Sequence, residues 1–204
     1  MIYVITFFVA FASILYEMIL SQFAIAILGG TIFQHIITTS IYISFLGFGS
    51  IFYLKNSYFQ NNKNFELIEY LLIISSSLSV PTILFLSNYQ YINVIIYFIV
   101  SIIGFLSGIE LPMLMDIYSK KQNNFSQLIL SIDFLGTFFG IIFFIFYLIP
   151  YENLLLHIYI VSFINFIALI FYKIFILKKS YKILLYLIFM FFYIIIYSHN
   201  IELI

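Results

Sequence analysis

Residues 91–115 read YINVIIYFIVSIIGFLSGIELPMLM, and Glu110 is the one formally charged side chain among them. At 1.5 Å per residue this stretch makes a helix roughly 37 Å long, enough to cross a hydrocarbon core of about 30 Å. The run is apolar on every face. It therefore lacks the polar stripe of a soluble surface helix and the alternation of a barrel strand. Comparable runs occupy about 2–28, 31–54, 67–87, 126–149, 154–177 and 182–198, the last being the shortest. The expected fold is an all-α polytopic membrane bundle of about seven transmembrane helices, with 1–204 forming one integral membrane domain.

Composition agrees. The chain is 65% hydrophobic and 8% charged, with a mean hydropathy of +1.18, whereas soluble domains carry about 25% charged residues. No cysteine is present, which removes disulfides, thiol chemistry and Cys-ligated metals. Net charge is zero and the lysines are scattered, so nucleic acid is not an expected partner. Arg and Trp are absent while Ile, Phe, Tyr, Asn and Lys abound, as in a membrane protein from an AT-rich genome. Aromatic stripes are accordingly read as lipid-facing or core filler. The amino terminus has no basic leader and its apolar run continues past residue 25, so it reads as the first membrane helix rather than a cleaved signal.

The connections sort by charge. Lys55 and Lys63 lie between helices 2 and 3, Lys120 and Lys121 between 4 and 5, and Lys178, Lys179 and Lys182 between 6 and 7, with Lys173 placed to snorkel to the same side. The other connections, Gly29-Gly30, Ser87-Asn88-Tyr89-Gln90 and Pro150-Tyr151-Glu152-Asn153, have no lysine. The positive-inside rule puts the lysine loops and the amino terminus in the cytoplasm, in a cell (inner) membrane.

Against this background Glu17, Glu110 and Asp133 stand out. An ionisable group at the bilayer centre costs roughly 2.5 kcal/mol or more, and such residues are default candidates for function. Ser13, Glu17 and Ser21 share one helix face at spacing four, with Tyr16 adjoining. Glu110 lies between Gly104 and Gly108 on one side and Pro112 on the other. Pro112 deprives the carbonyl of residue 108 of its helical partner, so an opened helix with free carbonyls is expected there. Asp133 precedes Gly136 and Gly140, which repeat the small-xxx-small spacing. Helices 4 and 5 are expected to be antiparallel neighbours, with Glu110 and Asp133 on the order of 10 Å deep and facing across a glycine-lined contact. Glu17 should lie deeper.

Such a cluster either takes up protons, binds a cation, or acts only as hydrogen-bonding glue between helices. His35, His157 and His199 lie near segment ends and form no metal-ligand spacing. The Glu66–Glu69 pair reads as favourable charge at a helix start. No metal site, cofactor loop or catalytic residue is expected.

Several motifs together resemble a known family. Phe11-Ala12-Ser13-Ile14-Leu15-Tyr16-Glu17, then Leu28-Gly29-Gly30, then Leu46-Gly47-Phe48-Gly49-Ser50 resemble the opening of the membrane domain of membrane-bound spermidine synthase-like proteins. Gly108-Ile109-Glu110-Leu111-Pro112-Met113-Leu114 is similar to that family's Gly-x-Glu-x-Pro-Leu-Leu segment. Ser131-Ile132-Asp133-Phe134-Leu135-Gly136, followed by Gly140 and Pro150, is similar to its Asp-Tyr-x-Gly-Ala helix. The resemblance implies a bundle distantly like one half of a major-facilitator transporter. It also implies a link to polyamine aminopropyl transfer, which in the family belongs to a soluble domain that usually follows. No Gly-rich cofactor loop or catalytic Asp follows Ile204, so that activity is not expected of this chain.

The expected function is binding or moving a cationic metabolite such as a polyamine, through Glu17, Glu110 and Asp133 with Tyr16 and Ser13. The rival readings are a membrane anchor or docking partner for a separate soluble aminopropyltransferase, a proton-coupled transporter of something else, and a truncated product of a fused gene.

Overall fold

The computed structural model describes residues 2–56, 62–119, 126–150 and 153–177. They form helices α1 (Ile2–Leu28), α2 (Thr31–Lys55), α3 (Asn62–Phe85), α4 (Ile92–Ser119), α5 (Ser126–Phe143) and α6 (Leu154–Phe175). All six are long and apolar enough to cross a membrane. The seventh span expected over 182–198 lies outside the described residues, as do Lys120, Lys121, Lys178, Lys179, Lys182 and His199.

Local chemistry explains the helix ends. Gly29 and Gly30 turn the chain between α1 and α2 at φ of 67° and 79°, a conformation open to glycine at little cost. The last turn of α5 widens into a π-helix over Phe144–Leu148, where the Ile149 N–H donates to the Phe144 carbonyl at 2.9 Å. Pro150 follows and cannot continue the ladder. Asn153 caps α6 by accepting from the Leu156 N–H at 3.0 Å.

α1 is the hub of the bundle. It packs against α2, α4, α5 and α6, while α3 packs against α4 and α6. The glycines do not pair α4 with α5 as the sequence suggested. Gly104 and Gly108 of α4 lie against the Tyr42 and Leu46 backbone of α2, and Gly49 of α2 lies against the Phe105 carbonyl. Gly136 and Gly140 of α5 instead lie against Phe7, Ala10, Phe11 and Ile14 of α1. α4 and α5 touch only lightly. Without a hydrophobic driving force between helices in lipid, close backbone approach is what ties them together, and each glycine lets the backbone of the facing helix come near.

α4 also stays helical through Pro112, so the opened helix expected there is not formed. The Gly108 carbonyl that Pro112 leaves without an N–H accepts instead from the Ser50 hydroxyl of α2, at 2.8 Å. Substitution of one donor by another removes the reason for the helix to open.

Three polar clasps tie the bundle at the end where α1 begins. Glu66 of α3 pairs with Lys173 of α6 at 2.8 Å, and Lys173 also reaches the Tyr70 hydroxyl. Tyr53 of α2 donates to Asp116 of α4 at 2.8 Å. Tyr118 of α4 donates to the Tyr3 hydroxyl of α1 at 2.8 Å.

Candidate functional site

Glu17, Glu110 and Asp133 converge. All three line a single cavity of about 170 Å3 between α1, α2, α4 and α5. A water needs roughly 10–15 Å3 on this measure, so the space holds several waters or a slender organic molecule. Ser13, Tyr42, Ser50, Ser107 and Thr137 supply hydroxyls to the same wall, and Gly108 brings backbone close. Among the described residues no lysine or histidine lines it.

Each carboxyl is placed by packing. Ala10, Ser13 and Glu17 lie on the side of α1 between its α2 and α5 contacts, with Ala10 against Gly136. Glu110 is held at 1% exposure because Gly108, one turn-fraction away, draws α4 onto α2. Asp133 is half-buried at the rim and lies one turn before Thr137, whose hydroxyl donates to the Asp133 carbonyl at 3.0 Å. Thr39 of α2 stands beside the Glu17 carboxyl. Glu110 interacts electrostatically with Asp133 across the cavity.

The hydroxyls are oriented rather than loose. The Tyr42 hydroxyl donates to the Ser13 carbonyl at 2.9 Å, leaving its oxygen to accept from the Ser13 hydroxyl at 3.0 Å. Tyr42 also has Ser107 beside it. Among the described residues no three acidic, imidazole or thiol groups gather as a metal-ligand set. The three carboxyls are therefore spread along the cavity wall.

Two sequence expectations need relocating. Tyr16 does not line this cavity: it is fully buried on the far side of α1, where Ser76 of α3 donates to its hydroxyl at 3.2 Å and Ser162 of α6 lies 2.9 Å from Ser76. Ser21 shares the helix face of Glu17 but spends its hydroxyl on the Met18 carbonyl at 2.8 Å.

Sequence reasoning missed Glu69. Its neighbour Glu66 has a charge partner in Lys173, but Glu69 is fully buried, and among the described residues neither of its carboxyl oxygens has a hydrogen-bond partner. The Glu69 and Glu110 carboxyls are electrostatic neighbours. A usable signal was present: Glu69 and Ser76 are seven residues apart, two turns along one face, and both point inward.

The chain is similar to polyamine aminopropyltransferase 2 of Aquifex aeolicus (strain VF5). Identity is 31% over 138 residues, which is 64% of this chain and 27% of that protein. The likeness agrees with the resemblance to spermidine synthase-like proteins drawn from the motifs. The matched region spans about a quarter of the relative's length. No family model and no solved structure matches the chain.

Proposed function

We propose that this chain is a multi-pass domain of the cell membrane that binds, and carries, a polyamine or similar organic cation in the carboxyl-lined cavity. The lysine loops and amino terminus face the cytoplasm in this reading. The observation that carries it is the convergence of Glu17, Glu110 and Asp133 on one cavity that no basic side chain lines among the described residues. An isolated metal ion would want its ligands gathered around one point. Carboxyls strung along a wall suit a ligand whose positive charges are themselves strung along a flexible chain. The oriented hydroxyls of Ser13 and Tyr42 add acceptors for ammonium N–H groups. The name of the relative supports the choice of polyamine over other organic cations.

The test is equilibrium binding of labelled spermidine to the full chain in nanodiscs. A hydrogen bond to a charged group is worth about 1.5–3 kcal/mol. Loss of one carboxylate by Glu110→Gln or Asp133→Asn should thus weaken binding by roughly 10-fold or more. Binding unchanged in both variants removes these residues from the mechanism.

The relative's name also favours a second reading: the bundle serves as the membrane partner of an aminopropyltransferase unit. Specific co-purification of such an enzyme, with no spermidine held by the bundle itself, would select it.

A further inference from the structure

The cavity accounts for one side of Glu110 only. Behind it, toward α3 and α6, lie Glu69, Tyr16, Ser76, Ser162 and Asn165, none more than 1% exposed. α3 and α6 run antiparallel, with Ser76 against Ser162 and Phe65 against Tyr172. Asn165 therefore sits one turn from Ser162 on the Glu69 side. Tyr16, Ser76 and Ser162 satisfy one another. Glu69 does not join them. Both its oxygens are buried without a partner among the described residues, as are Oε1 of Glu110 and both side-chain polar atoms of Asn165.

Glu69 and Glu110 are neighbours, and the Tyr16 hydroxyl lies near both. From the cavity side Asp133 faces Glu110, and Tyr42 lies within the field of Glu17 and Glu110. Lys173, the lysine of α6 among the described residues, is committed to Glu66 and Tyr70, and His157 lies in the first turn of α6, at the other end of that helix. Two carboxylates side by side, with no donor or cation on them among the described residues, would be two unpaired buried like charges, a strongly destabilising arrangement. A proton on Glu69 removes that conflict. Its O–H then has an acceptor within reach, and the Glu110 oxygen has a donor.

We infer that Glu69 is a positioning residue for the cation site: a neutral carboxyl whose O–H donates to Glu110 and aims the Glu110 carboxylate into the cavity when an ammonium group docks there. On docking, the ammonium group pairs with the Glu110 carboxylate, and no bond to hydrogen is made or broken. Glu69 keeps its own proton throughout. This rests on the cation-binding reading above, and it adds a residue outside the cavity lining.

The experiment compares Glu69→Met with Glu69→Gln in the full chain, using spermidine as probe. Methionine fills the space and gives no donor. Glutamine keeps an N–H. Spermidine affinity should fall about 10-fold or more in Glu69→Met and be restored to within about 3-fold of wild type in Glu69→Gln. Equal binding by wild type and Glu69→Met overturns the inference, as does equal loss in both variants. Infrared spectra of unliganded wild type and Glu69→Gln give a readout that needs no ligand and no methionine variant. A protonated-carboxyl band that diminishes in Glu69→Gln supports the neutral Glu69, and an unchanged spectrum refutes it. If wild type binds no spermidine yet this band is present, the protonated Glu69 stands and the cation reading falls.

Discussion

Replacing Gly108 by alanine should separate α2 from α4 and disrupt the cavity they share. An alanine Cβ there would stand 2.7 Å from the Leu46 carbonyl carbon and 2.8 Å from its Cα, and would overlap the Leu46 oxygen. Ordinary contact begins near 3.4 Å, so clearing the carbonyl carbon alone parts the helices by about 0.7 Å (3.4 minus 2.7), and clearing the oxygen takes more. The obstacles are backbone atoms, which have no rotamer to change. Overpacking of this kind costs about 1–3 kcal/mol. Parting also lengthens the 2.8 Å Ser50–Gly108 hydrogen bond. The gain in helix propensity from glycine to alanine, about 1 kcal/mol, opposes the loss. Gly47, on the same α2, has nothing within 4 Å of a built Cβ and isolates that gain. The stability difference between Gly47→Ala and Gly108→Ala should therefore be about 1–3 kcal/mol, roughly 5- to 150-fold in the folding equilibrium. Steric trapping in bicelles measures it. Indistinguishable stabilities would refute the packing of α2 on α4 through Gly108.

Ser50→Ala should destabilise by about 1 kcal/mol, because the Gly108 carbonyl loses its donor while Pro112 still withholds another. Pro112→Ala supplies an N–H, so a double-mutant cycle of the two should show the Ser50 loss shrinking, and simple additivity would contradict the exchange of donors. At the Lys173 clasp, Lys173→Met should destabilise by about 1–3 kcal/mol, with Glu66→Gln in the same chain recovering part of it. The coupling is read by thermal unfolding in detergent, and zero coupling would count against the pair.

Hydropathy alone predicted the helical class and the positions of α1 to α6, since runs of some twenty apolar residues have few other solutions. What it did not contain was which helices meet. Gly104, Gly108, Gly136 and Gly140 were visible as a small-residue pattern, but spacing along one helix says nothing about the partner. The loop between α4 and α5 suggested the wrong one. Pro112 signalled a missing hydrogen bond correctly, yet its replacement by Ser50 depends on α2 arriving at that level. Glu17, Glu110 and Asp133 were readable because a carboxyl in an apolar run has no cheap explanation. Glu69 was harder to read: its spacing from Ser76 is a signal, but so near the start of α3 a carboxyl also reads as a helix-start charge, and only the packed bundle buries it.

The shared wet cavity is most directly tested by cysteine labelling, for which the absence of native cysteine gives a clean background. Single Ser13→Cys and Thr137→Cys variants in intact membranes should react with a water-soluble cationic thiol reagent, and spermidine should slow both. Phe138→Cys, one residue along α5 and exposed on its outer face, should stay unreactive in lipid. Unreactive cysteines at 13 and 137, or labelling equal to that at 138, would contradict the cavity and the cation site built on it.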